Sequence, residues 1–203
     1  MDLGLLKRIY WRILRGLGFK QAAWDKQFKE GKWCDEPHSH YTVRLAIQLC
    51  DGGKLVEFGC GEGILPRMLP SGAFSQYVGI DISKVAIERA ESKARKAGVQ
   101  HCLFAQGDMA GWEGTDSVSL ILLEECLYYL TPSEMEQFLT RCCESLTPQG
   151  HLLVIVHSAR KHKKALALCR QICSVEKEEI LGGRTFLTLG PGRSSSAVPA
   201  GSR

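Results

Sequence analysis

The feature that most constrains this chain is a glycine-rich turn that directly follows a short apolar strand. Residues 55–63 read LVEFGCGEG, so an apolar run ends at the acid Glu57 and is followed by Gly59, Gly61 and Gly63. Glycine adopts backbone conformations that other residues avoid, and it leaves no side chain in the way. Such a turn allows backbone N–H groups and the N-terminus of the next helix to approach a ligand closely.

Two further strand candidates also end near acids. Residues 78–81 read VGID and end at Asp81, far enough past the glycine turn to leave room for a crossover helix. Residues 104–109 read FAQGDM and contain Asp108. In a doubly wound sheet, an acid at the end of the second strand accepts hydrogen bonds from the ribose hydroxyls. We therefore expect both acids and Glu57 to lie along one edge of a parallel sheet.

Strand patterns alternate with helical patterns along most of the chain. The predicted strands are 54–58, 76–80, 101–105, 117–123 and 152–156, with a hairpin formed by 174–181 and 184–189. The predicted helices are 38–49, a segment from about 64, 83–97, 131–146 and 161–173, and a turn is predicted at 148–150. Alternation at these spacings predicts a parallel α/β sheet.

The spacing of the glycines separates two families of nucleotide-binding turn. The nicotinamide-type fingerprint requires glycine at position 64, where this chain has Ile64. The pattern acid-x-Gly-x-Gly-x-Gly, from Glu57 to Gly63, resembles the S-adenosylmethionine-dependent class I methyltransferases, and the resemblance runs from about Trp24 to about Leu189. It implies an α/β fold, with a doubly wound, mostly parallel seven-stranded sheet and helices on both faces.

The resemblance implies S-adenosyl-L-methionine as the cofactor. The glycine loop would hold its methionine end and Asp81 would bind its ribose. Asp108 would accept from the adenine amino group, while Ile82 and Met109 would make apolar contacts with the adenine. The residues predicted to bind the cofactor are Glu57, Gly59, Cys60, Gly61, Gly63, Asp81, Ile82, Asp108, Met109 and Glu124.

The end of the fourth predicted strand, residues 124–130, reads EECLYYL. In the family this position lies beside the sulfonium of the cofactor. Adenine- and glutamine-directed methyltransferases carry an Asn/Asp-Pro-Pro-Tyr/Phe tetrapeptide here, and this chain does not. The segment is instead similar to nodulation-type N-methyltransferases and other small-molecule enzymes. That resemblance implies a small-molecule acceptor, with an amine as the first candidate.

Three residues are candidates for catalysis, each with an alternative role. Glu125 would neutralise a cationic amine or take up its proton, or else it only solvates the strand end. Tyr128 and Tyr129 would border the acceptor pocket, one of them as a packing residue. His157 ends the fifth strand at the same edge, where it would act as a base near neutral pH or remain an exposed loop residue. The candidate catalytic residues are Glu125, Tyr128 and His157.

The chain divides into three predicted parts. Residues 1–50 form an N-terminal helical lid, residues 51–190 the methyltransferase domain, and residues 191–203 a disordered tail that is polar and lacks periodicity. Residues 3–19 form a basic amphipathic helix. That helix packs on the domain or closes over the cofactor, or alternatively lies on a membrane surface or targets an organelle. The candidate lid residues, by the resemblance, are Trp24, Phe28 and Trp33.

Composition narrows the possible settings and partners. A chain of 203 residues suffices for one domain, and its net charge of +4 is too small to predict a nucleic-acid partner. No run of 18 apolar residues predicts a transmembrane helix. The nine cysteines show no C-x-x-C pair and no zinc spacing. We read them as reduced core thiols of a cytoplasmic protein, and expect a monomer or homodimer without a metal.

Two other functions remain open. One is a methyltransferase for RNA or protein that uses the basic N-terminal helix to grip its substrate. The other is a non-catalytic module that binds the cofactor for a partner. The intact glycine loop and both downstream acids favour an enzyme acting on a small molecule.

Overall fold

The computed structural model describes residues 20–33 and 38–192. The basic helix predicted at 3–19 and most of the tail predicted at 191–203 therefore lie outside the described residues. The helices are α1 (Lys20–Lys29), α2 (His40–Cys50), α3 (Leu65–Met68), α4 (Lys84–Lys96), α5 (Pro132–Ser145) and α6 (Lys163–Ile172). The strands are β1 (Lys54–Phe58), β2 (Gln76–Asp81), β3 (Cys102–Gln106), β4 (Val118–Glu124), β5 (Leu146–Val156), β6 (Ser174–Leu181) and β7 (Arg184–Gly190).

The seven strands form one sheet in the order β3-β2-β1-β4-β5-β7-β6. The first five strands pair in parallel, and β7 runs antiparallel between β5 and β6. The chain reverses its direction of winding between β1 and β4, and ligands of open α/β sheets bind outside the carboxyl ends of strands at such a point. This arrangement confirms the predicted fold class.

Strand β4 lies at the centre of the core and is buried on both faces. Ile121 and Leu123 pack in one apolar cluster with Phe138 of α5, while Leu120 and Leu122 belong to a second cluster. All these side chains are fully buried. Parallel strands covered on both faces read as continuous apolar runs, which explains why this segment shows no alternation.

Helix α2 belongs to the second of these clusters. Leu45, Ala46 and Cys50 are buried there, against the face of the sheet formed by β4 and β5. The division of the chain at residue 50 into lid and domain stays a prediction. In the part of the chain that the structure describes, no helix is both long and apolar enough to cross a bilayer.

Local signals locate the helix starts correctly. The Ser83 hydroxyl accepts a hydrogen bond from the backbone N–H of Ala86, as an N-cap does. Thr131 and Glu134 form a reciprocal capping box, with Pro132 at the first helical position. The strands agree with their predicted ranges to within a residue or two, except β5.

The predicted turn at 148–150 is wrong, because these residues continue β5, which begins at Leu146. The pairing of β5 with β4 shifts register between Val118 and Leu120, so the extra residues form an irregularity inside the strand. A Cβ on Gly150 would lie 2.6 Å from the carbonyl oxygen of Val118. The glycine therefore permits a close approach of two strands rather than a turn.

The eight cysteines within 20–33 and 38–192 are free thiols, and all but Cys102 are buried. They pack as small apolar residues, as predicted. The sulfur atoms of Cys143 and Cys173 lie 2.9 Å apart as a hydrogen-bonded pair that joins α5 to the start of β6.

We predict that Gly63→Ala lowers the free energy of unfolding by about 3 kcal/mol or more, because the residue combines a positive φ with crowding. Its φ is 66°, and an added Cβ would lie 2.8 Å from the Phe104 ring and 3.1 Å from Ala90. Gly72→Ala is the matched control, with a φ of 84° and no atom within 4 Å of the added Cβ. Urea unfolding curves measure both losses, and equal losses would contradict the packing role of Gly63.

Candidate active site

A cavity of about 480 Å³ opens at the carboxyl edge of β1, β2, β4 and β5. Its size is within the usual range for small-molecule sites. The predicted cofactor residues that line it are Gly59, Cys60, Gly61, Asp81, Ile82, Asp108, Met109 and Glu124. The three candidate catalytic residues and the three candidate lid residues line it as well. The structure thus brings together segments that are far apart in sequence.

The glycine loop is hydrogen-bonded to the end of β2. The backbone N–H groups of Gly59 and Cys60 both donate to the carbonyl oxygen of Ile80, at 2.8 and 3.2 Å. The N–H of Gly61 donates to Oδ2 of Asp81 at 3.0 Å. Gly59 and Gly61 have φ values of 69° and 52°, which glycine adopts without strain.

Asp81 is a buried carboxylate with two backbone partners. Besides Gly61, the N–H of Ser83 donates to its Oδ1 at 2.8 Å. Burial raises the pKa of Asp81 to about 6, although both hydrogen bonds act in the opposite direction. A further donor, such as a hydroxyl, would stabilise the ionised form by offsetting this desolvation.

Two predicted cofactor residues do not line the cavity. Glu57 is 2% exposed and accepts a hydrogen bond of 2.5 Å from the Tyr77 hydroxyl, which lies behind the cavity wall. Gly63 is packed against Phe104, where only a residue without a side chain fits. Both residues contact aromatic side chains and support the loop on the side that faces the protein interior.

Glu57 and Glu124 are joined by a histidine. Nε2 of His38 lies 3.2 Å from Oε1 of Glu57, and Nδ1 lies 2.6 Å from Oε2 of Glu124. Arg184, the first residue of β7, donates to Oε1 of Glu124 at 2.6 Å. The two carboxylates raise the pKa of His38 to about 10 against the opposing effect of burial. The histidine is therefore a cation near neutral pH.

Asp108 holds a short helical turn and a lysine at the other side of the cavity. Its Oδ1 accepts from the N–H of Ala110 at 3.1 Å, and its Oδ2 lies 3.0 Å from Nζ of Lys20. Ile82 and Met109 line the cavity beside it. An acid flanked by two apolar side chains suits a flat base with an exocyclic amino group.

Helix α1 covers the cavity and contacts the start of α4 and the glycine loop. Oδ1 of Asp25 accepts from the Ser83 hydroxyl at 2.6 Å and from the N–H of Val85 at 3.2 Å, both at the start of α4. Although burial acts to raise it, the pKa of Asp25 is lowered overall by these hydrogen bonds. Phe28 of the same helix is buried, and a Cβ on Gly61 would lie 3.7 Å from its ring.

Aromatic side chains form part of the cavity wall. The rings of Trp24 and Tyr129 meet edge to face at 5.3 Å, and Trp24 and Trp33 are 5.9 Å apart. The rings of Tyr128 and Tyr129 are 4.9 Å apart. Such a wall offers apolar area and ring faces, which bind flat or cationic groups.

Glu125 connects the three candidate catalytic residues. Its Oε2 accepts from the Tyr128 hydroxyl at 2.8 Å, and its Oε1 lies 3.0 Å from Nδ1 of His157 and also accepts from the backbone N–H of His157. Tyr128 stacks on His162 at 3.8 Å. Burial, with smaller effects of Tyr129 and Glu125, raises the pKa of Tyr128, so it remains a protonated donor.

The backbone of Glu125 has a φ of 56°, in the left-handed region that residues with side chains rarely adopt. Such a conformation costs about 1–3 kcal/mol and occurs most often at functional sites. The N–H of Glu125 donates to the carbonyl oxygen of Ile155, which holds the turn in place at the end of β5.

The site fits the expected cofactor. Gly59 and Gly61 line the cavity with backbone alone, and a Cβ at Gly59 would lie 3.1 Å from Cys126. Asp81 is a buried carboxylate that gains from a hydroxyl donor, and Asp108 faces the cavity between apolar neighbours. These features suit a nucleoside with ribose hydroxyls and an amino-substituted base.

Of the Lys, Arg, His, Asp and Glu side chains that line the cavity, four were not among the predicted site residues: Lys20, His38, Glu62 and Arg184. Glu62 is 1% exposed and pairs with Arg89 at 2.8 Å and Lys93 at 2.5 Å. Glu62 and Arg184 had usable signals, because Glu62 stands inside the glycine turn and the first residue of a reversed strand lies at the carboxyl edge of its parallel neighbours.

Comparisons with known proteins agree with this geometry. Residues 55–150 match the family described as a methyltransferase domain. The protein named "Putative methyltransferase YqeM" of Bacillus subtilis (strain 168) is 27% identical over 128 residues, which cover 62% of this chain and 51% of that protein. The chain spans about half the length of the curated relatives it matches.

Solved structures share the fold. The N-methyltransferase NodS from Bradyrhizobium japonicum WM9, in complex with S-adenosyl-L-homocysteine, superposes with a TM-score of 0.63 at 17% identity and covers 78% of this chain and 89% of its own. The complex of the Haloferax volcanii Trm112 methyltransferase activator with a methyltransferase described as putative gives 0.68 at 15% identity, covering 86% and 98%. The chain therefore shares the Rossmann-like α/β fold of these methyltransferases, and just under half of it, residues 55–150, matches the methyltransferase domain family.

Proposed function

We propose that this chain transfers a methyl group from S-adenosylmethionine to a small-molecule acceptor, and that the acceptor atom is an amine nitrogen. The observation that carries the proposal is the cluster of Glu125, His157 and Tyr128 in the wall of the cavity. It lies at the end of β4 and β5, next to the glycine loop at the end of β1. A proton acceptor is thereby positioned beside the predicted cofactor site.

The residues that would hold the cofactor divide into three groups. The backbone of Gly59, Cys60 and Gly61 would receive the methionine end. Asp81 would accept from the ribose hydroxyls, and Asp108 from the adenine amino group. Ile82 and Met109 supply apolar contacts on the same wall. When bound, the cofactor supplies a methyl group on a positively charged sulfur, which is already an activated leaving group.

The protein must then place the acceptor in line and remove a proton from it. An ionised Glu125 only accepts hydrogen bonds, so Nδ1 of His157 is the donor in their contact at 3.0 Å. Nε2 of a neutral His157 then keeps its lone pair and serves as the base. Tyr128 fixes the second oxygen of Glu125 and so orients this pair.

Two observations support a small acceptor and an amine. The aromatic rings of Trp24, Trp33 and Tyr129 line the cavity in contact with one another and limit the size of the acceptor. Glu125 lines the same cavity without a Lys or Arg partner among the described residues, and its negative charge favours a cationic group. The solved NodS structure is named as an N-methyltransferase, which agrees with nitrogen as the acceptor atom.

The direct test incubates the chain with cofactor carrying an isotopically labelled methyl group and a panel of primary, secondary and tertiary amines. Phenols, RNA and protein extracts form the comparison set. We expect label in the amines, detected by mass spectrometry. Label confined to RNA or protein would contradict the small-molecule proposal. Tight binding of S-adenosyl-L-homocysteine with no label in any class would support a non-catalytic module.

We predict that Glu125→Gln lowers kcat about 100-fold, because the neutral amide no longer supplies the negative charge that stabilises His157 when it takes up a proton. The affinity for S-adenosyl-L-homocysteine should be unchanged in calorimetry. The matched control is Glu176→Gln, which alters a similar pair: Glu176 lies 2.7 Å from Nδ1 of His151, away from the cavity. Wild-type turnover by the Glu125 variant would remove this residue from the reaction.

We predict that Asp81→Asn weakens the binding of S-adenosyl-L-homocysteine about 100-fold, as expected for the loss of charge-assisted hydrogen bonds. Asp116→Asn is the control, because Asp116 is an exposed acid outside the cavity lining. Calorimetry of both folded variants at pH 7.5 makes the comparison. Unchanged affinity in the Asp81 variant would contradict the ribose-binding role.

The raised pKa of Asp81 also predicts a pH dependence. Since the carboxylate must be ionised to accept, affinity for S-adenosyl-L-homocysteine should fall as pH drops through about 6, by up to tenfold per pH unit. The stability of the ligand-free protein changes in the other direction. A group whose pKa is raised by folding adds stability below its unfolded value of 3.8, and this contribution is lost as pH rises through about 6. Binding isotherms between pH 5 and 8 test the first trend.

A further inference from the structure

We infer that His38 is a positioning residue of the methyl-transfer site, which acts as a fixed cation between the carboxylates at the ends of β1 and β4. The part of this inference that concerns turnover rests on the proposed function. The part that concerns charge and cofactor affinity does not. The segment before α2 carries His38 to the sheet edge, where its side chain is 14% exposed and lines the cavity.

The geometry fixes the charge of the ring. Nε2 faces Oε1 of Glu57 at 3.2 Å, and Nδ1 faces Oε2 of Glu124 at 2.6 Å. Ionised carboxylates only accept hydrogen bonds, so both ring nitrogens must carry protons. A neutral imidazole would place a lone pair against one of the carboxylates. Both hydrogen bonds can form together only when the ring is an imidazolium.

The four oxygens of the two carboxylates all have protein donors. In Glu57 they are bound by His38 and by the Tyr77 hydroxyl at 2.5 Å. In Glu124 they are bound by His38 and by Arg184 at 2.6 Å. Two acids are thus balanced by two cations within one largely buried cluster. A buried charge is tolerated when it is paired and hydrogen-bonded in this way.

This arrangement excludes His38 as the base. Both of its nitrogens are occupied by protons and neither has a lone pair to offer. Its effect on the reaction must pass through Glu57 and Glu124. Glu57 is the last acid before the glycine loop, and Glu124 lines the cavity beside Glu125. By holding these two side chains, His38 fixes the position of the glycine loop relative to the turn at Glu125.

Removal of the cation would leave two carboxylates facing one another. Like charges at such a distance repel, and one of the two would protonate or move. Movement of Glu57 disturbs the strand end from which the glycine loop starts. Movement of Glu124 disturbs the neighbouring turn at Glu125. We therefore expect loss of both cofactor affinity and turnover in His38→Gln.

The first experiment uses the unmodified protein. Nitrogen-15 NMR of the histidine rings at pH 8 should show both nitrogens of His38 protonated, with the signal assigned by its absence in His38→Gln. The groups facing the ring are Glu57 and Glu124, with Tyr77 and Arg184 behind them, and the two acids raise its pKa to about 10. A neutral ring at pH 8 would overturn the inference, whatever the activity of the protein.

The second experiment compares His38→Gln with His151→Gln. His151 contacts a single carboxylate, Glu176, away from the cavity. We expect the His38 variant to bind S-adenosyl-L-homocysteine about tenfold more weakly. Its kcat should fall by a larger factor than its KM rises, while the His151 variant matches the parent. Parental affinity and kcat in the His38 variant would overturn the positioning role. Failure of the methylation assay in the parent protein would leave the NMR and affinity results intact, so the two proposals fail separately.

Stability gives a third readout with a defined sign. A histidine whose pKa is raised by folding contributes stability that is fully present below pH 6.5 and is lost as pH rises through about 10. The parent should therefore be more stable than His38→Gln at pH 7, and the difference should shrink toward pH 10.5. A difference independent of pH would indicate packing alone and contradict the charged role.

Discussion

The hydrogen bonds of Asp81 are the interaction on which the site depends. One carboxylate binds the N–H of Gly61 and the N–H of Ser83, so it holds the glycine loop after β1 and the start of α4 at the end of β2. The cost of burying this charge appears as its raised pKa. A ligand that donates to the same carboxylate therefore gains affinity from a group that the protein has already oriented.

Helix α1 contacts two of these segments, the glycine loop and the start of α4, and also Asp108 after β3. Asp25 binds the start of α4, Lys20 pairs with Asp108, and Phe28 packs over Gly61. The helix that covers the cavity is thus bonded directly to segments that are predicted to bind the cofactor. Any displacement of α1 must break hydrogen bonds to the segments that are predicted to bind the nucleoside, so the position of the cover and the occupancy of the site are energetically linked.

The strands, the helix caps and the sheet edge near Asp81 and Asp108 could be predicted from the sequence, because each of them depends on local patterns. Strand periodicity, glycines and capping residues determine the backbone conformation of residues only a few positions away. The site residues whose contacts the sequence did not indicate, such as His38 and Lys20, reach partners 80 or more positions away along the chain. The turn predicted at Pro148 failed for a related reason, since a glycine needed for close strand approach resembles a glycine needed for a turn.

The antiparallel course of β7 has a consequence for how the molecule forms. Arg184 reaches Glu124 from 60 positions away, and His38 reaches the same acid from 86 positions on the other side. Contacts of such long sequence separation close slowly, since a large loop must be ordered before they form. The charge balance at Glu124 is therefore complete only when β7 has joined the sheet beside β5.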